Sequence, residues 1–215
     1  MSGLFEKLKT FTQGGVHPAD EKRSAGVPTS VLSLPKMVTI PISQHIGKPA
    51  RPVVERGEMV KVGQVIATIE GYVSANIHAS VSGKVGKIDN VIDSSGYRRT
   101  AINIRVKGDD WSDSIDRTPD LVKECELSSE EIIKKVTEAG IVGQGGAAFP
   151  AHVKLNVPRD KKLDYLIVNG VECEPYLTAD HRLMLENPEE ILVGTSILMK
   201  ALNVKKALMA KLLRS

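Results

Sequence analysis

From Pro35 to Val106 the chain is broken into short pieces by glycines at 47, 57, 63, 71, 83, 86 and 96, with prolines at 41, 49 and 52. Between these breaks lie apolar runs rich in β-branched residues, Met37–Ile40, Val65–Ile69, Val81–Ile88 and Ala101–Val106. Runs of that length bounded by turn residues predict strands. Glycines this frequent also mark tight reversals between neighbouring strands. The first half of the chain is therefore committed to an all-β unit built from many short strands.

The pattern changes after Val106. Lys107–Leu127 is polar, rich in Asp and Ser, and carries Trp111 and Pro119, which marks a linker with Trp111 as its anchor on a domain surface. Ser128 with Glu131 has the spacing of a capping box. Ile132, Ile133 and Val136 supply an apolar helical face, and Gly140 ends the helix. The division that follows is an N-terminal extension over 1–34, a β domain over 35–106, a linker over 107–127 and an α/β domain over 128–215. Within the extension, Leu4, Phe5 and Leu8 make one side of a short amphipathic helix, and Gly14-Gly15-Val16-His17-Pro18 is loop chemistry.

The helix at 128–139 delivers the chain into AGIVGQGGAAFPAHVK, Ala139 to Lys154. Gly143, Gly145 and Gly146 leave the main chain open to close approach by a ligand. Exposed amides in such a loop cradle anions, and a nearby lysine adds a point charge suited to phosphate. Leu163–Pro175, LDYLIVNGVECEP, comes next. Tyr165–Val168 predicts a buried strand, ending in Asn169-Gly170 and then Glu172 and Glu174 on either side of Cys173. Ligands of open α/β sheets sit beyond the carboxyl ends of strands, where Asn169 and the two carboxylates fall. The dinucleotide fingerprint puts its glycines directly after a strand. Here they follow a helix, so this is not that motif. Downstream, Thr178 or Asp180 is placed to cap a helix, Pro188 opens another that runs to Asn203, and Ala207–Ala210 begins a second strand.

Composition removes several alternatives. The net charge is only +3 and aromatics make up 4%, with no basic stripe, which argues against nucleic acid as a partner. No apolar run approaches a membrane span, and the N-terminus lacks a signal-peptide core. Cys125 and Cys173 give neither a disulfide framework nor cluster-ligand spacing, so no metal site and no catalytic side chain is assigned within the chain. Between two carboxylates the Cys173 thiolate is disfavoured by like charge. The chain reads as cytoplasmic.

GQGGAAFPAHVK and NGVECEPYLTADHRLMLENPE, with GGVHP and ANIHASVSGKV earlier, resemble the RnfC family of the Rnf electron-transport complex along nearly the whole chain. VERGEMVKVGQVIATIEG followed by IHASVSGKVGKI is similar to the barrel-sandwich hybrid of lipoyl and biotinyl carriers. Carriers hold their cofactor on a tip lysine, whereas Gly71–His78 has none, so the tip is expected to be structural. The resemblance implies an α+β two-domain chain: an N-terminal all-β barrel-sandwich hybrid, then the first part of an α/β FMN/NADH-binding domain similar to the flavin subunit of respiratory complex I.

The activity implied is exchange of electrons between NAD(H) and FMN and onward to iron–sulfur clusters. It belongs to a ferredoxin:NAD oxidoreductase that moves ions across a membrane. By that likeness Gly143, Gly145 and Gly146 form the flavin loop, Lys154 sits at the phosphate, and Asn169 lies near the flavin ring. Phe149 stacks on the nucleotide, Glu174 lies on the NADH side, and Glu172 is a further candidate in the same loop. Two positions depart from the complex I pattern: Gln144 stands where it has arginine and Val171 where it has aspartate. The family's motifs for two [4Fe–4S] clusters and the remainder of its flavin site are expected in a C-terminal region missing here. The chain alone is therefore expected to be inactive and to bind flavin weakly or not at all. Its partners are expected to be the other Rnf subunits, holding it peripherally on the cytoplasmic face of the membrane. The alternative is a noncatalytic scaffold similar to the A subunit of the sodium-pumping NADH:quinone reductase.

Overall fold

The computed structural model describes residues 19, 21–93, 95–158, 160–172 and 174–211. The helix expected at Met1–Lys9, the Gly14–Pro18 motif and Cys173 lie outside these residues. Seven strands come first: β1 (Met37–Pro41), β2 (Arg51–Pro52), β3 (Met59–Val60), β4 (Val65–Thr68), β5 (Ile77–His78), β6 (Gly83–Ile92) and β7 (Arg98–Val106). They form one sheet in the order β1-β7-β6-β3 and a second in the order β2-β4-β5, all antiparallel. Alternation decides what goes inside: Ile102 and Ile104 of β7 are buried, while Asn103 and Arg105 face out. Ile102 and Ile104 join Ile40, Val60, Ile66, Ile77, Val81 and Val85 in one contiguous core. Burying a side chain such as Ile66, Ile102 or Ile104 completely contributes about 1.5–3 kcal/mol. The four longer strands fall where the apolar runs predict them. The two-residue strands β2, β3 and β5 are too short to leave a pattern in the sequence.

The linker runs back along this unit. Val62 and Trp111 form a parallel bridge, and Arg117 lies 4.4 Å from the Trp111 ring centroid.

The second half holds α1 (Ser129–Glu138), α2 (Ala151–Leu155), β8 (Leu166–Gly170), α3 (Ala179–Glu186), α4 (Pro188–Leu202) and β9 (Ala207–Lys211). Ser128 caps α1 and Glu131 returns the bond to the Ser128 amide, completing the box expected from the sequence. Ile132 and Val136 of α1, Leu155 of α2 and Ala201 of α4 make a second core. Asn203 closes α4 in the left-handed conformation at φ 52. Strands β8 and β9 pair in parallel from Leu166↔Ala207 to Gly170↔Lys211. Met184 of α3 packs against Gly170, but the paired Ile167 and Leu208 are 64% and 50% exposed. Among the described residues, nothing covers one face of this small sheet.

The tip of the β unit meets the second half directly. Asn76 Nδ2 donates to the Glu138 carbonyl at 3.1 Å, and the His78 imidazole lies close to the same carbonyl. Gly140, at φ 63, lets the helix end settle there: a Cβ would stand 2.2 Å from the Asn76 carbonyl oxygen. The segment that displays a cofactor in carriers is used here to hold the C-terminus of α1, just ahead of the glycine run.

Candidate functional site

The glycine run is a closed loop. Val142 and Pro150 form an antiparallel bridge, Gly143 N–H donates to the Phe149 carbonyl at 2.9 Å, and Ala151 N–H donates to the Ile141 carbonyl at 2.8 Å. The loop thus leaves and returns at one place, and Pro150 starts α2. α2 brings Lys154 back over the loop. Its Nζ lies 2.9 Å from where a Gly143 Cβ would stand and 5.9 Å from the Phe149 ring centroid. Gly143, Phe149 and Lys154 are therefore brought together. Gly145 and Gly146 at the loop's tip are exposed, with nothing within 4 Å of a built Cβ. Their main chain is accessible, and a cation stands over the loop's base. That combination suits a phosphate. From the β unit, Ile46 N–H reaches the Ala148 carbonyl at 3.4 Å, tying the loop to its support.

The acidic loop is organised differently from what its sequence proposes. Asn169 is exposed and its Oδ1 accepts from the Val171 amide at 3.1 Å, turning the chain at the end of β8. Glu172 is buried, 8% exposed. Its Oε1 accepts from the Asp180 amide at 2.9 Å and the His181 amide at 3.3 Å, so it caps α3 from outside. Thr178, expected with Asp180 as alternative caps, stands at the N-cap but makes no side-chain cap bond. The second oxygen of Glu172 lies 3.8 Å from Lys22 Nζ. Glu174 is exposed, but its carbonyl, like that of Leu177, accepts from Lys22 Nζ at 2.6 Å.

Lys22 is the residue that sequence reasoning missed. It is part of a strap, residues 21–29, laid across the loop and α3. Glu21 N–H donates to the Pro175 carbonyl at 3.2 Å, and the Ser24 and Thr178 hydroxyls are 2.7 Å apart. Arg182 Nη1 donates to the Ala25 carbonyl at 3.0 Å. Thr29 N–H donates to Glu186 Oε1 at 2.9 Å. That amide, together with Arg182, holds the Glu186 carboxyl well below the usual range, at about 2. Roughly 150 residues separate the partners, as in the Lys22 contact to Glu174, and no local pattern encodes such a pairing.

Strap, glycine loop and α3 border a shared hollow of about 660 Å³, lined by Ser24, Thr29, Gln144, Tyr176, Asp180 and Arg182 among others. Among the described residues, its wall takes Gln144 from the glycine loop and residues 176–187 from the downstream side, but none of 169–172 or 174. Glu172 bears on the hollow through α3, whose first turn it fixes. A smaller hollow of about 230 Å³ separates the glycine loop from the β unit, between Gln144, His45, Asn76 and His78. Burial there pushes the His78 imidazole below its ordinary value, against the opposing pull of the Glu138 carbonyl.

Two family models match this chain. Residues 9–109 match the RnfC barrel sandwich hybrid domain, and residues 136–211 match the Nuo51 FMN-binding domain. The chain thus combines an RnfC-type barrel sandwich hybrid domain with an FMN-binding domain. It is 50% identical over 202 residues to the C subunit of the proton-translocating ferredoxin:NAD(+) oxidoreductase complex of Clostridium ljungdahlii, covering 93% of this chain and 43% of that relative. It is 44% identical over 201 residues to the C subunit of the Na(+)-translocating ferredoxin:NAD(+) oxidoreductase complex of Acetobacterium woodii, covering 93% and 45%. To the C subunit of the ion-translocating oxidoreductase complex of Rhodobacter capsulatus it is 42% identical over 212 residues, covering 96% and 40%. The chain thus spans less than half the length of these curated relatives. All eight candidate residues fall within the segment that matches the FMN-binding domain.

Proposed function

We propose that this chain provides the FMN-facing part of an RnfC-type subunit, in a complex that exchanges electrons between NAD(H) and ferredoxin and couples the exchange to ion translocation. The observation that carries this reading is the closed glycine loop with Lys154 folded over it, within a segment that matches an FMN-binding domain. FMN, when bound, accepts a hydride as a pair of electrons and releases them singly. The chain's own residues do the holding. Amides of Gly145 and Gly146 face the phosphate, Gly143 closes the loop through its bond to the Phe149 carbonyl, and Lys154 neutralises the charge. Phe149, half-buried beside that lysine, offers a ring face to a nucleotide. Asn169 and Glu174 supply polar groups at the end of β8, and Glu172 acts by fixing α3 rather than by touching a ligand. NADH and the iron–sulfur clusters that receive electrons belong to the same proposal, with the clusters elsewhere in the complex. No described helix is long and apolar enough to cross a membrane. In this proposal the chain is held at the cytoplasmic face of the membrane by its partner subunits.

The open hollow and the bare face of the β8–β9 pair support weak flavin binding by this chain alone. Titration with FMN, read by flavin fluorescence, tests the reading. Weak saturable quenching is expected, and Lys154→Ala weakens it about tenfold or more by removing one charge-assisted hydrogen bond. Quenching that is indifferent to Lys154→Ala would remove the phosphate role.

A further inference from the structure

The outer face of the β unit carries a second, separate feature. Arg105 of β7 lies in register with Met37 of β1 on one side and Lys84 of β6 on the other, so the three share one face of the sheet. Pairing between β6 and β7 shifts between Val85 and Ile88, so that Gly86 and Lys87 bulge out of the ladder. Asn103 Nδ2 secures the bulge through the Lys87 carbonyl at 3.1 Å. Arg56 overhangs from the turn before β3. Two adjoining hollows result, of about 390 and 340 Å³, sharing Arg56, Gly86 and Arg105.

The charge of this groove is one-sided. Arg56, Lys84, Lys87 and Arg105 line it, with no carboxylate among the described residues of the lining. That is four positive charges where the entire chain nets +3. None of the four belongs to any ion pair among the described residues, although nine such pairs form elsewhere. Glu58, in the same turn as Arg56, has its Oε2 engaged by the Glu55 amide at 3.0 Å. Four exposed like charges within about one screening length repel one another and add nothing to the fold. Met37, 59% exposed, adds an apolar side chain to the same groove.

We infer that this groove is an interaction surface for an acidic, extended polypeptide segment of a partner protein that also carries an apolar side chain. Cations around a groove with aliphatic stems and a methionine in its lining match alternating carboxylates and an apolar anchor. A bilayer would meet only the outermost tips of side chains that are set around a recess. Among the described residues no aromatic side chain lines the groove, so they offer no platform for bases.

The test uses the whole chain and a short fluorescein-labelled peptide of alternating glutamate and leucine, with binding read by anisotropy. Arg56→Gln/Lys84→Gln/Arg105→Gln is compared with Lys123→Gln/Lys134→Gln/Lys161→Gln, which removes the same charge from other surfaces. Thermal melts show that each variant is folded. The groove variant is expected to bind about tenfold or more weakly, the control to bind as the parent does, and added salt to erase the difference. Equal loss in both variants would reduce the effect to net charge and overturn the inference. So would retention of binding by the groove variant. Failure of the peptide to bind, with vesicles containing phosphatidylserine binding in a groove-dependent way, would make this a membrane surface and overturn it as well.

Discussion

Replacing Lys22 by methionine isolates what the strap does. The Lys22 and Glu172 side chains are only 7% and 4% exposed, so the substitution takes the Lys22 cation away from a buried carboxylate. Breaking a buried pair by removing one partner costs about 3–5 kcal/mol. The two carbonyls that lose the ammonium, at Glu174 and Leu177, belong to exposed residues and can turn to water, which favours the lower end. The loss is local, because the α1 and α4 core does not include Lys22. About 3 kcal/mol off a local opening equilibrium speeds amide exchange on the order of 100-fold. Asp180 and His181, whose amides Glu172 holds, report it directly by hydrogen exchange with mass spectrometry. Lys22→Arg retains the charge and is expected to recover most of the protection. Unchanged exchange at 172–187 in Lys22→Met would refute the claim that the strap organises this loop.

Two further outcomes follow from the junction between the halves. Gly140→Ala forces a non-glycine residue to φ 63 and a Cβ to 2.2 Å from the Asn76 carbonyl, so it lowers stability by at least about 1–2 kcal/mol and the melting temperature by several degrees; an unchanged melt would count against the docking described. His78 has its folded pKa lowered by burial, so the fold favours the neutral ring: stability is whole above about pH 6.5 and declines as pH falls from there toward the folded value. His78→Gln is expected to flatten that decline in pH-dependent melts, and an identical slope in both proteins would rule out His78 as its source.

What the sequence disclosed is what local patterns encode. Apolar runs between glycines located β1, β4, β6 and β7, and the Ser128–Glu131 spacing located the start of α1. Pro188 and Asn203 bracketed α4 for the same reason. The glycine loop and Lys154 could be singled out as candidates because they lie within one short stretch. Glu172 was legible as a carboxylate at a strand end but not as the cap of α3, since capping from eight residues away depends on how the loop folds back. Lys22 was invisible for a stronger reason: its partners lie more than 150 residues on, and only the folded chain brings them together. The short helix α2, which aims Lys154, is five residues long and leaves no periodicity to read.

The most direct measurement is an FMN footprint by hydrogen exchange on the whole chain, taken across the titration. The account predicts that FMN slows exchange in 143–154 and in 172–187 together, with a shared concentration dependence that shifts upward in Lys154→Ala. Protection confined to one of those segments, or appearing only on the β unit, would contradict a flavin site built from the glycine loop and the α3 side of the hollow.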